Sequence, residues 1–410
     1  MRYECIRAKT LLSKTRWAES WFHANRSLNA YKGCEHACAY CDGMSERYFV
    51  DDFTTHIRIK ENAPQVLRRE LLRSGFVARS GSLVPFLEEG DADRITREGP
   101  RKQVIGVCGG VSDGYQPAEK EHRITRKVLE TLLDFRLPVF VLTKSDLVLQ
   151  DLDLLKEIHK QAFVNICFSI TLHDEETKAI FEPKSSATWE RFEALKEIRR
   201  AGIHPGVMGM PMIPGIGDTY ENMRGIAKEA KRVGAEFVQF SGMTLKPGRQ
   251  KEYFLSVVRK QLPDKHDFLQ QIFANDHPYG HPQWELLPFN IMIRGREVCR
   301  EIGIRDRSVR HMLPSEPEPN VRVLRVLLDI EFYQSQMLGY PCVDWQPYQE
   351  LAITIEQGVE DLEELRQRGR LGERLDIGPS MIAVVEEILD RGSCKVLDEI
   401  LAKIDAYSGK

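Results

Sequence analysis

The sequence lacks the features that mark membrane and secreted proteins. It has no apolar run close to the roughly 18 residues that a membrane-spanning helix needs. The first residues, from Met1 to Arg7, have no apolar core of the kind found in a signal peptide. The net charge of −3 is small for 410 residues, so charge alone does not indicate a nucleic-acid coat. We therefore expect a cytoplasmic globular protein with about two domains.

The sequence also has few closely spaced cysteines. Its nine cysteines are an odd number in a long chain, which disfavours a disulfide framework. Three of them form a C-x3-C-x2-C motif at Cys34, Cys38 and Cys41, and no second pair follows, as paired zinc hooks would require. Three thiolates suit a cubane [4Fe–4S] cluster that leaves one iron without a protein ligand. Zinc with His36 as fourth ligand is the alternative, whereas Cys167, between apolar neighbours, is predicted to lie in the core.

The cysteine motif resembles the signature of the radical S-adenosylmethionine (SAM) superfamily, which has this spacing and an aromatic residue before the last cysteine, here Tyr40. The resemblance implies that Cys34, Cys38 and Cys41 bind a [4Fe–4S] cluster. It also implies that SAM chelates the open iron through its amino and carboxylate groups. In that family the reduced cluster cleaves SAM to a 5′-deoxyadenosyl radical, which abstracts a hydrogen atom from the substrate.

Short apolar runs alternate with helical patterns through the middle of the chain. Each run is nearly continuous and partly β-branched, as in buried parallel strands. The predicted strands are one before Cys34 and the runs Val104–Cys108, Val139–Leu142, Val164–Phe168, Val207–Met210 and Phe237–Phe240. Six such strands in right-handed βα units predict an α/β fold. The family resemblance implies the specific form, a partial (β/α)6 TIM-like barrel of the radical SAM type, and helical periodicity predicts a C-terminal helical domain.

Helical patterns lie between the strands. Apolar residues recur at i, i+4 and i+8 from Ile124 to Leu132, which predicts an amphipathic helix. Asp218 followed by Glu221 predicts a capping box at the start of another helix. A third helix, which Gly202 ends, is predicted from an apolar stripe of Trp189, Phe192, Leu195 and Ile198.

The composition divides the chain into four predicted segments. An N-terminal arm covers 1–26, the barrel 27–275, an aromatic and basic extension 276–314, and the helical domain 315–410. Proline alternates with polar residues over 314–319, which predicts a linker at the last boundary. Residues 74–102 are rich in glycine and charge, and we predict a long loop or insertion there.

The strand ends predict where a cofactor binds, because loops at the C-terminal ends of barrel strands carry the chemistry. These ends are polar, small or glycine-rich. The resemblance implies a SAM site in which glycines and hydroxyls bind the amino group and ribose, a cation pairs with the carboxylate and an apolar residue packs on the adenine. The residues assigned to it are Tyr40, Gly109, Gly110, Ser112 or Asp113, Lys144, Ser169 and Ile213. Simpler roles, as turn glycines, strand-end serines or a solvated lysine, are the alternatives.

A closer resemblance is to the family that includes spore photoproduct lyase. The similar motifs are Asn29–Cys38, Asp113–Lys120 and Leu142–Leu155, and the resemblance covers about residues 25–260. In that lyase the adenosyl radical takes a hydrogen from a thymine dimer in DNA, and a cysteine returns one. The resemblance implies this second role for Cys108, for which the alternative is a buried strand cysteine.

Two features past the barrel bear on a nucleic-acid substrate. Glu297, Glu301 and Asp306 interrupt a run of arginines, which favours a solvated amphipathic face over a phosphate clamp. The arginines are Arg294, Arg296, Arg300, Arg305, Arg307 and Arg310. Tyr279 and Trp284 are able to stack on a base, although packing is the commoner role of such aromatics.

The sequence therefore predicts a radical SAM enzyme related to spore photoproduct lyase. Nucleic acid is the favoured substrate class, and a flavodoxin- or ferredoxin-type protein is the expected one-electron reductant. The alternatives are a non-catalytic iron–sulfur electron-transfer or sensing protein and a zinc-stabilised binding protein that uses its helical domain as an adaptor. The polar strand ends favour the enzyme, since neither alternative needs a SAM site.

Overall fold

The fold is taken from a computed structural model of the chain. The structure describes residues 1–79, 103–107, 111–314, 316–338, 345–358 and 360–407. Most of the insertion predicted over 74–102 lies outside these residues, as do Cys108, Gly109 and Gly110.

A parallel sheet of six strands forms the centre of the molecule. The strands of the described residues are β1 (Arg2–Ile6), β2 (Arg26–Leu28), β3 (Tyr31–Lys32), β4 (His56–Lys60), β5 (Ile105–Val107), β6 (Val139–Thr143), β7 (Val164–Ser169), β8 (His204–Met212) and β9 (Val238–Gly242). The sheet has the order β2-β5-β6-β7-β8-β9, and every neighbouring pair is parallel. This arrangement confirms the predicted α/β class and all five apolar runs as strands.

Helices connect these strands and continue to the C-terminal end. Those of the described residues are α1 (Ala63–Arg73), α2 (Glu119–His122), α3 (Ile124–Asp134), α4 (Leu152–Gln161), α5 (Glu175–Phe181), α6 (Thr188–Arg200), α7 (Tyr220–Val233), α8 (Arg249–Gln261), α9 (Pro263–Ile272), α10 (Ile291–Ile302), α11 (Glu318–Phe332), α12 (Gln346–Gln357), α13 (Leu362–Gln367), α14 (Leu371–Leu375), α15 (Pro379–Arg391) and α16 (Lys395–Tyr407). Among these residues, no helix is both long and apolar enough to cross a membrane.

The helix predictions are correct in position but not in every residue. Ile124, Val128 and Leu132 are buried on α3, as their spacing predicts. Trp189 was wrongly placed in the apolar stripe of α6: it is 62% exposed, because the first turn of that helix points this position to solvent. The capping residue of α7 also differs from the prediction.

The N-terminus of α7 is capped by Thr219 and not by Asp218. The Thr219 side chain accepts a hydrogen bond from the backbone N–H of Asn222, as an N-cap does. The carboxylate of Asp218 instead accepts from the N–H of Gly215 and closes the preceding turn. The predicted capping box is therefore wrong by one residue.

A small second sheet lies beside the first barrel strand. β1 pairs in parallel with β4, and β4 pairs antiparallel with β3. Since β3 leads directly into the cysteine motif, this sheet fixes the position from which the motif begins. The β1 strand was not predicted, because its side chains are mostly exposed and lack the alternation of a half-buried strand.

The C-terminal helices form their own apolar core around α11. Buried residues of α11 such as Leu324 and Leu327 pack with Ile355 of α12, Ile388 of α15 and Ile400 of α16. This core confirms the predicted C-terminal helical domain. Helix α11 begins at Glu318, so the segment predicted as a linker is shorter than expected.

Most of the arginines between 294 and 310 join the helical domain to the barrel, so neither a phosphate clamp nor a solvated face describes them. Arg307 is fully buried and donates to the backbone carbonyls of Leu328 and Ser20. Arg310 is buried and pairs with Glu316 and Glu356. The prediction failed because several partners, such as Ser20, Leu328 and Glu356, come from distant parts of the chain.

Tyr279 and Trp284 are exposed, which contradicts the expectation that they pack. Their exposed fractions are 60% and 59%. The guanidinium carbon of Arg47 lies 5.2 Å from the centre of the Tyr279 ring, within the range of a cation–π contact. Cys167, in contrast, is fully buried in the core, as predicted.

We expect Arg310→Ala to lower the free energy of unfolding by about 3–5 kcal/mol, because the buried carboxylate of Glu356 and the half-buried one of Glu316 lose their counter-charge. Arg300→Ala is the matched control: Arg300 is 56% exposed and pairs with Asp405, so its loss should cost no more than about 1 kcal/mol. Urea denaturation followed by circular dichroism measures both. Equal losses in the two variants would contradict the assignment of Arg310 as the buried link.

Candidate SAM and iron–sulfur site

A cavity of about 500 Å³ opens at the C-terminal ends of the sheet strands. Its wall combines the three cysteines of the motif with polar residues from strand ends. The lining residues are Phe22, Cys34, His36, Cys38, Tyr40, Cys41, Asp42, Val111, Ser112, Asp113, Leu142, Thr143, Lys144, Ser169, Met210, Pro211, Ser241, Gly242 and Thr244. The cavity therefore lies where barrel folds place their chemistry.

The cysteine loop begins at a position that only glycine can occupy. Gly33 has a φ of +92°, and a Cβ there would lie 2.8 Å from the carbonyl oxygen of His56. The backbone N–H of Cys34 then donates to the carbonyl of Phe53, and that of Cys41 donates to Cys38. These contacts fold the loop so that all three cysteines line the same cavity.

The three thiols are free and sit in surroundings that disfavour their ionisation. Burial raises the pKa of Cys34, Cys38 and Cys41, that of Cys41 to about 11. Nearby negative groups, Asp113 for Cys34 and Glu182 for Cys38, raise the pKa of these thiols further. Thiolates at these positions need an adjacent cationic centre, and a thiolate-bound iron cluster is such a centre. The donor set fits a [4Fe–4S] cluster.

His36 is poorly placed as the fourth ligand of a zinc ion. Its Nε2 atom lies 3.1 Å from a carboxylate oxygen of Asp113, and its Nδ1 atom lies 3.3 Å from the backbone oxygen of Lys184. Each ring nitrogen thus already lies within 3.3 Å of an oxygen atom. The geometry favours a site with three protein ligands.

Asp113 connects the cysteine loop to the end of β6. Its carboxylate accepts from the hydroxyl of Thr143 at 2.8 Å and from the backbone N–H of Lys144 at 2.8 Å. Burial would raise the pKa of Asp113, but His36 and the backbone donors outweigh burial and hold the pKa below its ordinary value. Ser112 donates its hydroxyl proton to the carbonyl of Gly33 at 2.8 Å. The carboxylate and the hydroxyl both position the loop and line the cavity.

A buried carboxylate, Glu182, lies behind the cavity wall. Tyr40 donates its phenol proton to Glu182, and Lys144 places its ammonium 3.9 Å from the same carboxylate. Arg191, itself buried, pairs with Glu182 at 2.5 Å. Burial would raise the pKa of Glu182, but Arg191 and Lys144 outweigh it, so the pKa lies well below its ordinary value. The carboxylate is therefore ionised and fixes the positions of Tyr40 and Lys144.

The remaining predicted residues differ in position. Ser169 lines the cavity at the end of β7. Ile213 does not: it follows β8, and its side chain is fully buried in an apolar cluster with Cys38 and Tyr40. Met210 and Pro211 of β8 line the wall instead. Cys108, Gly109 and Gly110 fall outside the described residues, so their roles remain predictions.

Glu182, Arg191 and the link between His36 and Asp113 were not predicted from the sequence. Tyr40 and Glu182 are 142 residues apart in sequence. No local spacing can reveal such a pair. The one sequence feature that indicates a buried carboxylate is the position of Lys144 at a strand end. A lysine that is largely buried there needs a carboxylate nearby.

Comparison with known proteins identifies the class. The model of the Radical SAM superfamily matches residues 28–230, which include the cysteine motif and the sheet strands from β5 to β8. The chain belongs to this superfamily. Its members are enzymes that use a [4Fe–4S] cluster and SAM and that need a reductant. The [4Fe–4S] cluster and SAM are the cofactors of this chain.

Relatives and solved structures are more distant. The chain is 25% identical over 263 residues to an uncharacterized protein of Mycobacterium tuberculosis, covering 63% of this chain and 69% of that protein. It is 27% identical over 244 residues to an uncharacterized protein of Methanocaldococcus jannaschii, covering 59% of this chain and 78% of that protein. A structure of spore photoproduct lyase complexed with dinucleoside spore photoproduct is 14% identical, with a TM-score of 0.48 and coverage of 73% of this chain and 78% of that one.

We expect Glu182→Gln to destabilise the iron-free protein by about 3–5 kcal/mol at neutral pH, because buried Arg191 loses its counter-charge. The depressed pKa of Glu182 sets the pH dependence. The stabilisation is present above the ordinary carboxyl pKa of about 4.3 and is lost as the pH falls below it. Urea titrations at several pH values should show the gap between variant and wild type narrowing on acidification.

The matched control for this prediction is Glu193→Gln. Glu193 is a surface carboxylate that pairs with Lys196 and Arg232, and its loss should leave the urea midpoint nearly unchanged. A gap for Glu182→Gln that stays constant from pH 7 to pH 3 would show that the ionised carboxylate is not the source of the stability.

Proposed function

We propose that the protein is a radical SAM enzyme whose Cys34, Cys38 and Cys41 hold a [4Fe–4S] cluster and whose neighbouring cavity binds SAM. One observation carries the proposal: three free thiols, two of them buried and one half-buried, line one cavity together with a lysine and serines from strand ends. One-electron cleavage of SAM to a 5′-deoxyadenosyl radical is the chemistry that this pair of cofactors supplies when bound. A flavodoxin- or ferredoxin-type protein is the proposed reductant.

The chain's own residues bind and orient SAM. We assign Lys144 to the SAM carboxylate, because this residue lines the cavity and its ammonium lies 3.9 Å from Glu182, which limits its movement. Ser169 offers a hydroxyl at the end of β7 for the ribose. Tyr40 forms part of the wall and is fixed by its hydrogen bond to Glu182. Gly109 and Gly110, which follow β5 in the sequence, are proposed for the amino group.

The first test measures 5′-deoxyadenosine after anaerobic reconstitution with iron and sulfide, reduction with dithionite and addition of SAM. We expect the wild type to form the nucleoside and a Cys34, Cys38 and Cys41 triple-alanine variant to form none, because the cluster loses its ligands. Cys5→Ala is the matched control. Cys5 is exposed and outside the cavity, so this variant should retain the activity.

The same preparation separates the enzyme from the electron-transfer alternative. A protein that carries a full cluster, fails to bind SAM in equilibrium dialysis and forms no 5′-deoxyadenosine would contradict the enzyme and support an electron-transfer or sensing protein. Zinc that replaces iron after anaerobic purification, and that is lost in the triple-alanine variant, would support the binding-protein alternative.

For the substrate, we propose a nucleic acid and a place in the group related to spore photoproduct lyase. Two exposed aromatic side chains, Tyr279 and Trp284, support a surface on which bases stack. The adjacent Gly280 accepts a hydrogen bond at its carbonyl from the N–H of Leu245, the residue after Thr244 of the cavity wall. The aromatic surface thus lies beside the cavity.

Cys108 is the proposed hydrogen donor to the product radical. With ultraviolet-irradiated DNA as substrate, we expect Cys108→Ala to lower the ratio of repaired thymine to 5′-deoxyadenosine by about tenfold or more, because the product radical loses its hydrogen source. Chromatography of both products measures the ratio, with Cys5→Ala as the control. An unchanged ratio would exclude Cys108, and a wild type that makes no repaired base would exclude this substrate.

A further inference from the structure

A second group of metal-ligating side chains lies at the N-terminal ends of the sheet strands. The cysteine cavity lies at the opposite, C-terminal ends. His204 is the first residue of β8, and Glu236 precedes β9 by two residues. His311 comes from the segment that follows α10 and contacts Glu236. Three separate parts of the chain therefore converge at the N-terminal ends of two neighbouring strands.

The three side chains direct their donor atoms at one another. The Nδ1 atom of His204 lies 2.6 Å from one carboxylate oxygen of Glu236, and the Nε2 atom of His311 lies 2.7 Å from the other. The ring centres of the two histidines are 4.2 Å apart. The ligand atoms of all three residues lie within 4.8 Å of one another, and the three residues are half-buried.

We propose that His204, Glu236 and His311 form a binding site for a divalent transition-metal ion, with zinc as the preferred metal. Two imidazole nitrogens and one carboxylate oxygen are a donor set that zinc, cobalt and ferrous iron accept. Three protein ligands leave at least one coordination position for water, so the site resembles an open metal site more than a closed structural one.

The surroundings of the three ligands limit the site to these residues. His159 is close, with its ring centre 5.4 Å from that of His204, but its Nδ1 atom accepts a hydrogen bond from the N–H of Val164. That bond leaves the proton of the neutral ring on Nε2, so His159 is not a ligand. The ring of Phe163, 4.9 Å from that of His311, forms an apolar wall.

Arg199 is the residue that competes with a metal ion. Its guanidinium lies 3.4 Å from a carboxylate oxygen of Glu236, and its side chain is 50% exposed. The arginine is therefore free to turn into solvent when an ion binds. Removing its charge should strengthen metal binding, which a purely structural ion pair would not predict.

The proposed site is separate from the cysteine cavity. Met210 of β8 lines the cavity wall and lies six residues after His204 on the same strand. Six residues of strand at about 3.3 Å each span roughly 20 Å. Metal binding at the two places can therefore be measured separately.

The test uses cobalt(II) and the full chain in which Cys34, Cys38 and Cys41 are replaced by alanine, so that the cluster ligands are absent. We expect one cobalt ion per chain, with visible absorption of a nitrogen and oxygen site and without the near-ultraviolet band of thiolate ligation. His204→Gln and His311→Gln in this background should each weaken binding at least about tenfold, a loss of about 1.4 kcal/mol or more. Arg199→Gln should tighten it.

A double variant, His277→Gln with His281→Gln, is the matched control. The ring centres of these two histidines are 4.6 Å apart, at the other end of the barrel. They are a second close pair of histidines that would compete for cobalt. We expect it to leave cobalt binding unchanged. The proposal is overturned if no cobalt ion binds at up to 100 µM, if the control alone abolishes binding, or if thiolate absorption appears. Circular dichroism spectra that match the parent protein establish that each variant is folded.

Discussion

The ionised carboxylate of Glu182 is the interaction on which the site depends. It is buried, and a buried charge is costly unless cations and hydrogen-bond donors surround it. Here the donors come from the cysteine loop, from the end of β6 and from α6, through Tyr40, Lys144 and Arg191. Each of these elements satisfies the carboxylate only in its present position. The carboxylate therefore fixes the geometry of loop and strands before any cofactor binds.

The local parts of the fold were predictable from the sequence, and the reason is physical. A strand buried on both faces must be apolar along its whole length, so runs such as Val139–Leu142 identify themselves. A helix that packs on the sheet needs an apolar stripe, which Val128 and Leu132 supply. The cysteine spacing is equally local. These features need only neighbouring residues to be recognised.

The errors and omissions involve residues whose surroundings are set by tertiary structure. Arg307 and Arg310 have charges that look solvated until Leu328, Glu316 and Glu356 are seen around them. Glu182 has no neighbouring feature that marks it as buried. Trp189 shows the opposite case, since an apolar side chain at the right spacing is still exposed when nothing packs over that turn. Periodicity predicts a face, and only tertiary structure decides how far that face extends.

The small sheet of β1, β3 and β4 has a consequence for the order in which the site forms. All three strands lie within the first 60 residues, and the phenol of Tyr3 donates to Glu35 inside the cysteine motif. Chains emerge from the ribosome from the N-terminus, at about 5–20 residues per second. The start of the motif is therefore able to take its shape during synthesis, before Lys144 and Glu182 exist in the chain. The later barrel strands then bring Lys144 and Glu182 to a loop whose first residues are already placed, and the contact of Glu182 with Tyr40 fixes the remainder.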